Sequence, residues 1–103
     1  MIGDLFSKLQ EAREKIEEAK KKLNSIIIEA ESENGEVKVS ANANKMLTEI
    51  QISEDYKNIS NTQELQEVLL KTVNNALEEA ARKGELEMKS ITKDVLPNFP
   101  GLV

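Results

Sequence analysis

Ile2, Leu5, Leu9, Ala12, Ile16, Ala19 and Leu23 recur at alternating spacings of three and four. On a helix this is a heptad a/d stripe, a single narrow apolar seam. Between the seam positions stand Lys8, Glu11, Arg13, Glu14, Lys15, Glu17, Glu18, Lys20, Lys21 and Lys22. The pattern predicts a helix over residues 4–24, with Asp4 near its start and three lysines near its end to complement the macrodipole. Glu11–Lys15, Glu17–Lys21 and Glu18–Lys22 add i,i+4 pairs in the favourable orientation. So thin a seam buries little against a sheet and is built to lie along another helix.

The period then changes from seven to two. Ile26, Ile28 and Ala30 alternate with Ile27, Glu29 and Glu31, which predicts a strand over 25–32. Asn34-Gly35 follows, and it reads as a tight hairpin in which both central residues take positive φ. Val37, Val39, Ala41 and Ala43 alternate with Lys38, Ser40 and Asn42, a second strand over 36–43. After a turn at residues 42–45, a third strand over 46–53 puts Thr48, Ile50 and Ile52 on one face. Leu47 is out of phase with the isoleucines, which implies a bulge or an apolar contact on the far face. The middle of the chain is a three-stranded antiparallel meander with one apolar face.

Residues 54–60 read as a connecting loop. Asn61 and Glu64 resemble a capping box ahead of a long helix over 62–92. There Leu65, Val68, Leu69, Thr72, Val73, Ala76, Leu77, Ala80 and Ala81 form the wide stripe of a helix lying on a sheet. The stripe narrows to Leu77, Ala81, Gly84, Met88 and Ile91. Gly84 lies on it, which points either to close approach of another backbone or to a break in the helix. Residues 93–103 form a tail, and from Val95 onward the proline-punctuated Leu96-Pro97-Asn98-Phe99-Pro100-Gly101 is read as non-helical. The expectation is an α+β fold of the order α-β-β-β-α, one domain over residues 1–103.

Composition sharpens the picture mainly by exclusion. Among 103 residues there is no cysteine and no histidine. This removes disulfides, thiol chemistry, zinc-thiolate sites and the usual general base near neutral pH. No phosphate-binding or nucleophile-elbow glycine motif occurs. The carboxylate pairs Glu17-Glu18, Glu54-Asp55 and Glu78-Glu79 read as solvated surface. Glu54-Asp55-Tyr56 offers at most a weak hard-cation site without EF-hand spacing. The chain is read as a non-enzyme without cofactor or metal. Residues 1–15 lack the apolar core of a targeting segment, and the seam is too narrow for a membrane-surface helix, so a cytoplasmic location is expected.

The net charge is −5, with no global pull toward nucleic acid. Its distribution is uneven. Residues 1–24 hold six basic against five acidic side chains, residues 25–60 three against seven, and residues 61–103 five against seven. The acidity therefore gathers in the sheet and loop region. The local basic groups are Arg13, Lys15 and Lys20-Lys21-Lys22, with Arg82, Lys83 and Lys89. Such side chains serve either as solubilising, dipole-complementing positions or as phosphate contacts. The heptad seams likewise have two readings: antiparallel pairing within the chain, or homodimerisation. The latter is preferred here, because so long a helix overhangs a three-stranded sheet.

The pieces Met1-Ile2-Gly3-Asp4-Leu5-Phe6, Lys8-Leu9-Gln10-Glu11-Ala12, Gly35-Glu36-Val37-Lys38-Val39, Leu47-Thr48-Glu49-Ile50-Gln51-Ile52 and Leu96-Pro97-Asn98-Phe99-Pro100-Gly101-Leu102 share a pattern. In this order the chain resembles the YbaB/EbfC family of small bacterial nucleoid-associated proteins over nearly its whole length. The resemblance implies a homodimer whose long helices project as arms from a joined sheet core. It also implies double-stranded DNA as partner, a nucleoid location and no enzymatic role. DNA contact is carried onto the arm cations Arg13, Lys15, Lys20, Lys21, Lys22, Arg82, Lys83 and Lys89. The alternative is a cytosolic protein-interaction module that docks another protein through its seams or through residues 95–103, without DNA contact.

Overall fold

A computed structural model describes residues 2–59 and 61–95, with side chains as far as Ile91. The elements run α1 (Ile2–Leu23), β1 (Ile27–Glu31), β2 (Val37–Asn42), β3 (Leu47–Ile52), α2 (Glu54–Ile59) and α3 (Thr62–Val95). The strands form one antiparallel sheet in the order β1-β2-β3. The α-β-β-β-α order expected from the periodicity is present, with one addition.

That addition is α2, where a loop was expected. Ser53 starts it: its hydroxyl accepts the Tyr56 N–H at 3.1 Å and its carbonyl accepts the Lys57 N–H at 3.0 Å. Glu54 and Asp55 then occupy the first turn, where negative charge faces the positive end of the helix. One apolar residue, Tyr56, is buried, and one buried residue in six is too little periodicity to read as a helix.

The sheet register explains the core. Val39 faces Ala30 on one side and Ile50 on the other, and Val37 faces Ile52. Val37, Val39 and Ala41 are fully buried beneath α3, which contributes Ala76 and Ala80, with Leu65, Val68, Leu69 and Val73 around them. Between β2 and β3, Ser40 pairs with Glu49 and Ala41 with Leu47, so Thr48 is the extra residue of a β-bulge. The bulge returns Leu47 to the face of Ile50 and Ile52 and takes Thr48 out of that row.

Both turns differ in detail from a two-residue hairpin. Gly35 alone takes positive φ (75°) in the first, where Gly35 N–H donates to Ser32 O at 2.9 Å. Asn34 keeps negative φ, so the loop is a four-residue turn closed by a left-handed glycine, not an Asn-Gly type I′ turn. In the second, Lys45 takes φ 65°. The Asn42 side-chain oxygen accepts the N–H groups of Asn44 (2.9 Å) and Met46 (3.2 Å). At the far end, α3 continues through Val95, past the helix end expected at 92. The proline-punctuated remainder of the expected tail lies outside the described residues.

Candidate nucleic-acid interface

The arms are built where α1 and α3 meet the sheet. The Ala43 N–H donates to both Leu23 O (3.1 Å) and Ile26 O (3.0 Å), tying the end of α1 to the β2–β3 turn. Asn44 adds its amide, which donates to Lys20 O at 2.9 Å and Asn24 Oδ1 at 2.6 Å, satisfying a carbonyl in the last turn of α1. On the other side of the turn, Gly84 of α3 approaches so closely that a Cβ there would collide with the Ala43 carbonyl oxygen. Close backbone approach is thus the reason for the glycine, and the helix is unbroken across it.

From this junction α1 runs back toward Ile2 and α3 runs on toward Val95, so the two lie antiparallel and pack together. Ala12, Ala19 and Leu23 are buried and Ile16 half-buried, while Met88 and Ile91 are half-buried on α3. Small residues let the two backbones come near. The inner half of the α1 seam is therefore occupied within the chain. Among the described residues its outer half is not: Ile2, Leu5 and Leu9 are exposed, with Phe6 beside them. The molecule is elongated, 69 × 21 × 17 Å.

All eight candidate cations are exposed on these two helices. Successive helical residues turn by about 100°. Arg13 and Lys20, seven apart, therefore share one flank of the α1 seam, and Lys15 and Lys22 share the other. Lys21 points away from the seam. On α3, Arg82 and Lys89 form a row opposite the buried line of Ala80 and Gly84, and Lys83 lies on a flank. Lys8, not singled out by its local sequence, extends the row of Lys15 and Lys22 at the same heptad spacing.

Three of the cations engage glutamates of their own helix. Lys20 lies 3.6 Å from Glu17, Lys83 3.2 Å from Glu87, and Arg82 bridges Glu79. Exposed pairs of this kind contribute less than about 1 kcal/mol and exchange readily for another anion. Arg13, Lys15, Lys21, Lys22 and Lys89 form no ion pair among the described residues. Within one chain the cations are spread around the two-helix arm, and no single face collects all eight. Among the described residues there is no group of three or more acidic side chains placed to hold a metal. No helix among them is long and apolar enough to cross a membrane.

A family model, the YbaB/EbfC DNA-binding family, matches residues 1–95. The chain belongs to this family. Among its relatives, a nucleoid-associated protein of Flavobacterium johnsoniae is 29% identical over 98 residues, covering 95% of this chain and 91% of its own. One of Chlorobium phaeobacteroides is 33% identical over 104 residues, covering 95% and 92%. A crystal structure of an uncharacterized protein from Helicobacter pylori superposes with a TM-score of 0.72 at 20% identity, covering 93% of this chain and 97% of that one. That likeness establishes the fold of this YbaB/EbfC member.

Proposed function

We propose that this YbaB/EbfC protein is a homodimer that binds double-stranded DNA through its helical arms, in the cytoplasm at the nucleoid. The observation that carries the reading is the match to a DNA-binding family across residues 1–95. The form supports it: a narrow two-helix arm reaches outward from the sheet and presents lysines and arginines on several sides. Arg13, Lys15, Lys20, Lys21, Lys22, Arg82, Lys83 and Lys89 contact phosphates, and the contacts are sequence-independent. The negative balance of residues 25–60 directs the sheet away from the duplex and leaves the arms as the contact surface.

A second copy is supported by what α3 leaves uncovered. It packs on β2 and β1, while Leu47 and Ile50, on the same inner face of β3, stay 41% and 48% exposed. An apolar strip beside the core is a natural seat for a symmetric partner. Pairing there brings two arms to one duplex and gathers cations that a single chain keeps apart.

The test is a mobility-shift titration at low salt, comparing the native chain with one in which Lys20, Lys21 and Lys22 are all changed to Glu. The variant binds more weakly, and each phosphate it no longer neutralises flattens the slope of log K against log[salt] by about 0.9. Equal binding by both would remove these lysines from the interface. The rival reading, a protein-interaction module, is favoured by the glutamates that partner Lys20, Arg82 and Lys83. It prevails if the native dimer shows no DNA binding at low salt.

A further inference from the structure

The end of the sheet opposite the arms contains a cavity of about 240 Å³ between the β1–β2 hairpin, α2 and the first half of α3. Val68, Thr72 and the Tyr56 ring give it apolar wall, and Glu36, Glu64 and Asn75 bring polar groups to it. Tyr56 is only 7% exposed, yet its hydroxyl makes no hydrogen bond among the described residues. Placed at the cavity wall without a protein partner, this hydroxyl is free to accept a hydrogen bond from a ligand there or to donate one to it.

The charges around it point to the ligand's sign. Glu31 lies 3.3 Å from Lys38 and Glu33 3.7 Å from Lys71, both exposed pairs. Glu36 and Glu64 have no cationic partner among the described residues. Glu36 accepts a hydrogen bond from the Ser32 hydroxyl at 2.7 Å, which with Asn34 holds its pKa below the ordinary carboxylate value. Burial, and then the negative charges of Glu64 and Glu36, push the Tyr56 phenol above its ordinary value. A neutral hydroxyl thus faces two uncompensated carboxylates.

We propose that this cavity binds a small aliphatic amine, its ammonium held by Glu36, Glu64 and the Tyr56 oxygen and its hydrocarbon laid on Val68 and the tyrosine ring. A bare divalent metal fits less well, because the acidic side chains do not converge as a coordination cluster. The volume lies below the range of about 300–1,000 Å³ typical of drug-sized sites, which suits a short ligand. Alkyl stem and charged head match the two kinds of wall.

Tyr56 is the one tyrosine and there is no tryptophan, so its emission reports on this cavity alone. The purified chain is titrated with 1,4-diaminobutane at fixed ionic strength, with magnesium chloride as the comparison. The expected result is a saturable change with the diamine and none with magnesium. Glu64→Gln weakens binding roughly tenfold, as removal of a charged hydrogen-bond partner implies. Tyr56→Phe, followed through the amide resonances of Thr72 and Asn75, weakens it as well while keeping the packed ring. A non-saturable response, an equal response to magnesium, or unchanged affinity in either variant would overturn the proposal. DNA plays no part in this measurement, so its outcome stands apart from the arm function.

Discussion

Gly84 illustrates how one missing atom positions an arm. A glycine inside a helix costs about 1 kcal/mol relative to alanine, so on propensity alone Gly84→Ala should stabilise α3. The Ala43 carbonyl oxygen reverses the sign, because the new methyl would collide with backbone anchored by two hydrogen bonds from Ala43 N–H. We expect Gly84→Ala to destabilise the chain by about 1–3 kcal/mol, the usual cost of overpacking, measured by urea denaturation. A stabilised variant would show that the turn yields and that the arm is not pinned there. Ser32 works by a different device, since its hydroxyl donates to Glu36 at 2.7 Å and accepts the Val37 N–H at 3.0 Å. Because the bond lowers the Glu36 pKa, its stabilisation is present above the ordinary carboxylate pKa and is lost as pH falls through the folded value. Ser32→Ala should therefore raise the Glu36 pKa toward the ordinary carboxylate value, read by carboxyl-carbon NMR. The difference in stability between the two chains should narrow on acidification.

At the scale of elements, what was legible in the sequence is what repeats. The period of seven in α1, the period of two in the strands and the broad stripe of α3 each reflect burial of several residues on one side, and the elements follow in the order that these patterns gave. The phase slip of Leu47 against Ile50 left a bulge or a far-face contact open; the register decides for a bulge and corrects the placing of Thr48, which leaves the row of Ile50 and Ile52. What escaped was fixed by single hydrogen bonds. α2 rests on the Ser53 cap and one buried tyrosine, and Ser53-Glu54-Asp55 was the available signal, a helix-start residue followed by acidic residues. Asn34-Gly35 suggested the tightest hairpin, but Ser32 captures Gly35 N–H and Val37 N–H, lengthening the loop. Nor did the eight arm cations show their faces until the buried line of each helix was known. Ser53→Ala should accordingly cost about 1 kcal/mol. Amide hydrogen exchange should quicken across Glu54–Ile59 while β2 stays protected. Uniform exchange in both chains would mean that α2 is held by Tyr56 packing instead of by its cap.

For the whole molecule the decisive question is how an acidic chain approaches a polyanion. A single arm carries scattered cations, several of them engaged by neighbouring glutamates, and each phosphate contact on its own is weak. In the proposed dimer the second arm's contact would be intramolecular, which would raise affinity without any new basic residue. The proposed pairing through β3 therefore has a consequence for DNA as well as for mass. Ile50 is 48% exposed at the rim of the inner face, and a lysine there costs the isolated chain little because its ammonium reaches water. Across a symmetric apolar interface the same change places two like charges near each other in a dry setting. Ile50→Lys should sediment as a monomer at micromolar concentration where the native chain sediments as a dimer. Although the substitution adds a positive charge, its DNA affinity should fall and its salt slope should approach half the native value. If Ile50→Lys binds DNA more tightly, net charge governs binding and arm pairing does not; if it remains a dimer, the two copies meet somewhere other than β3.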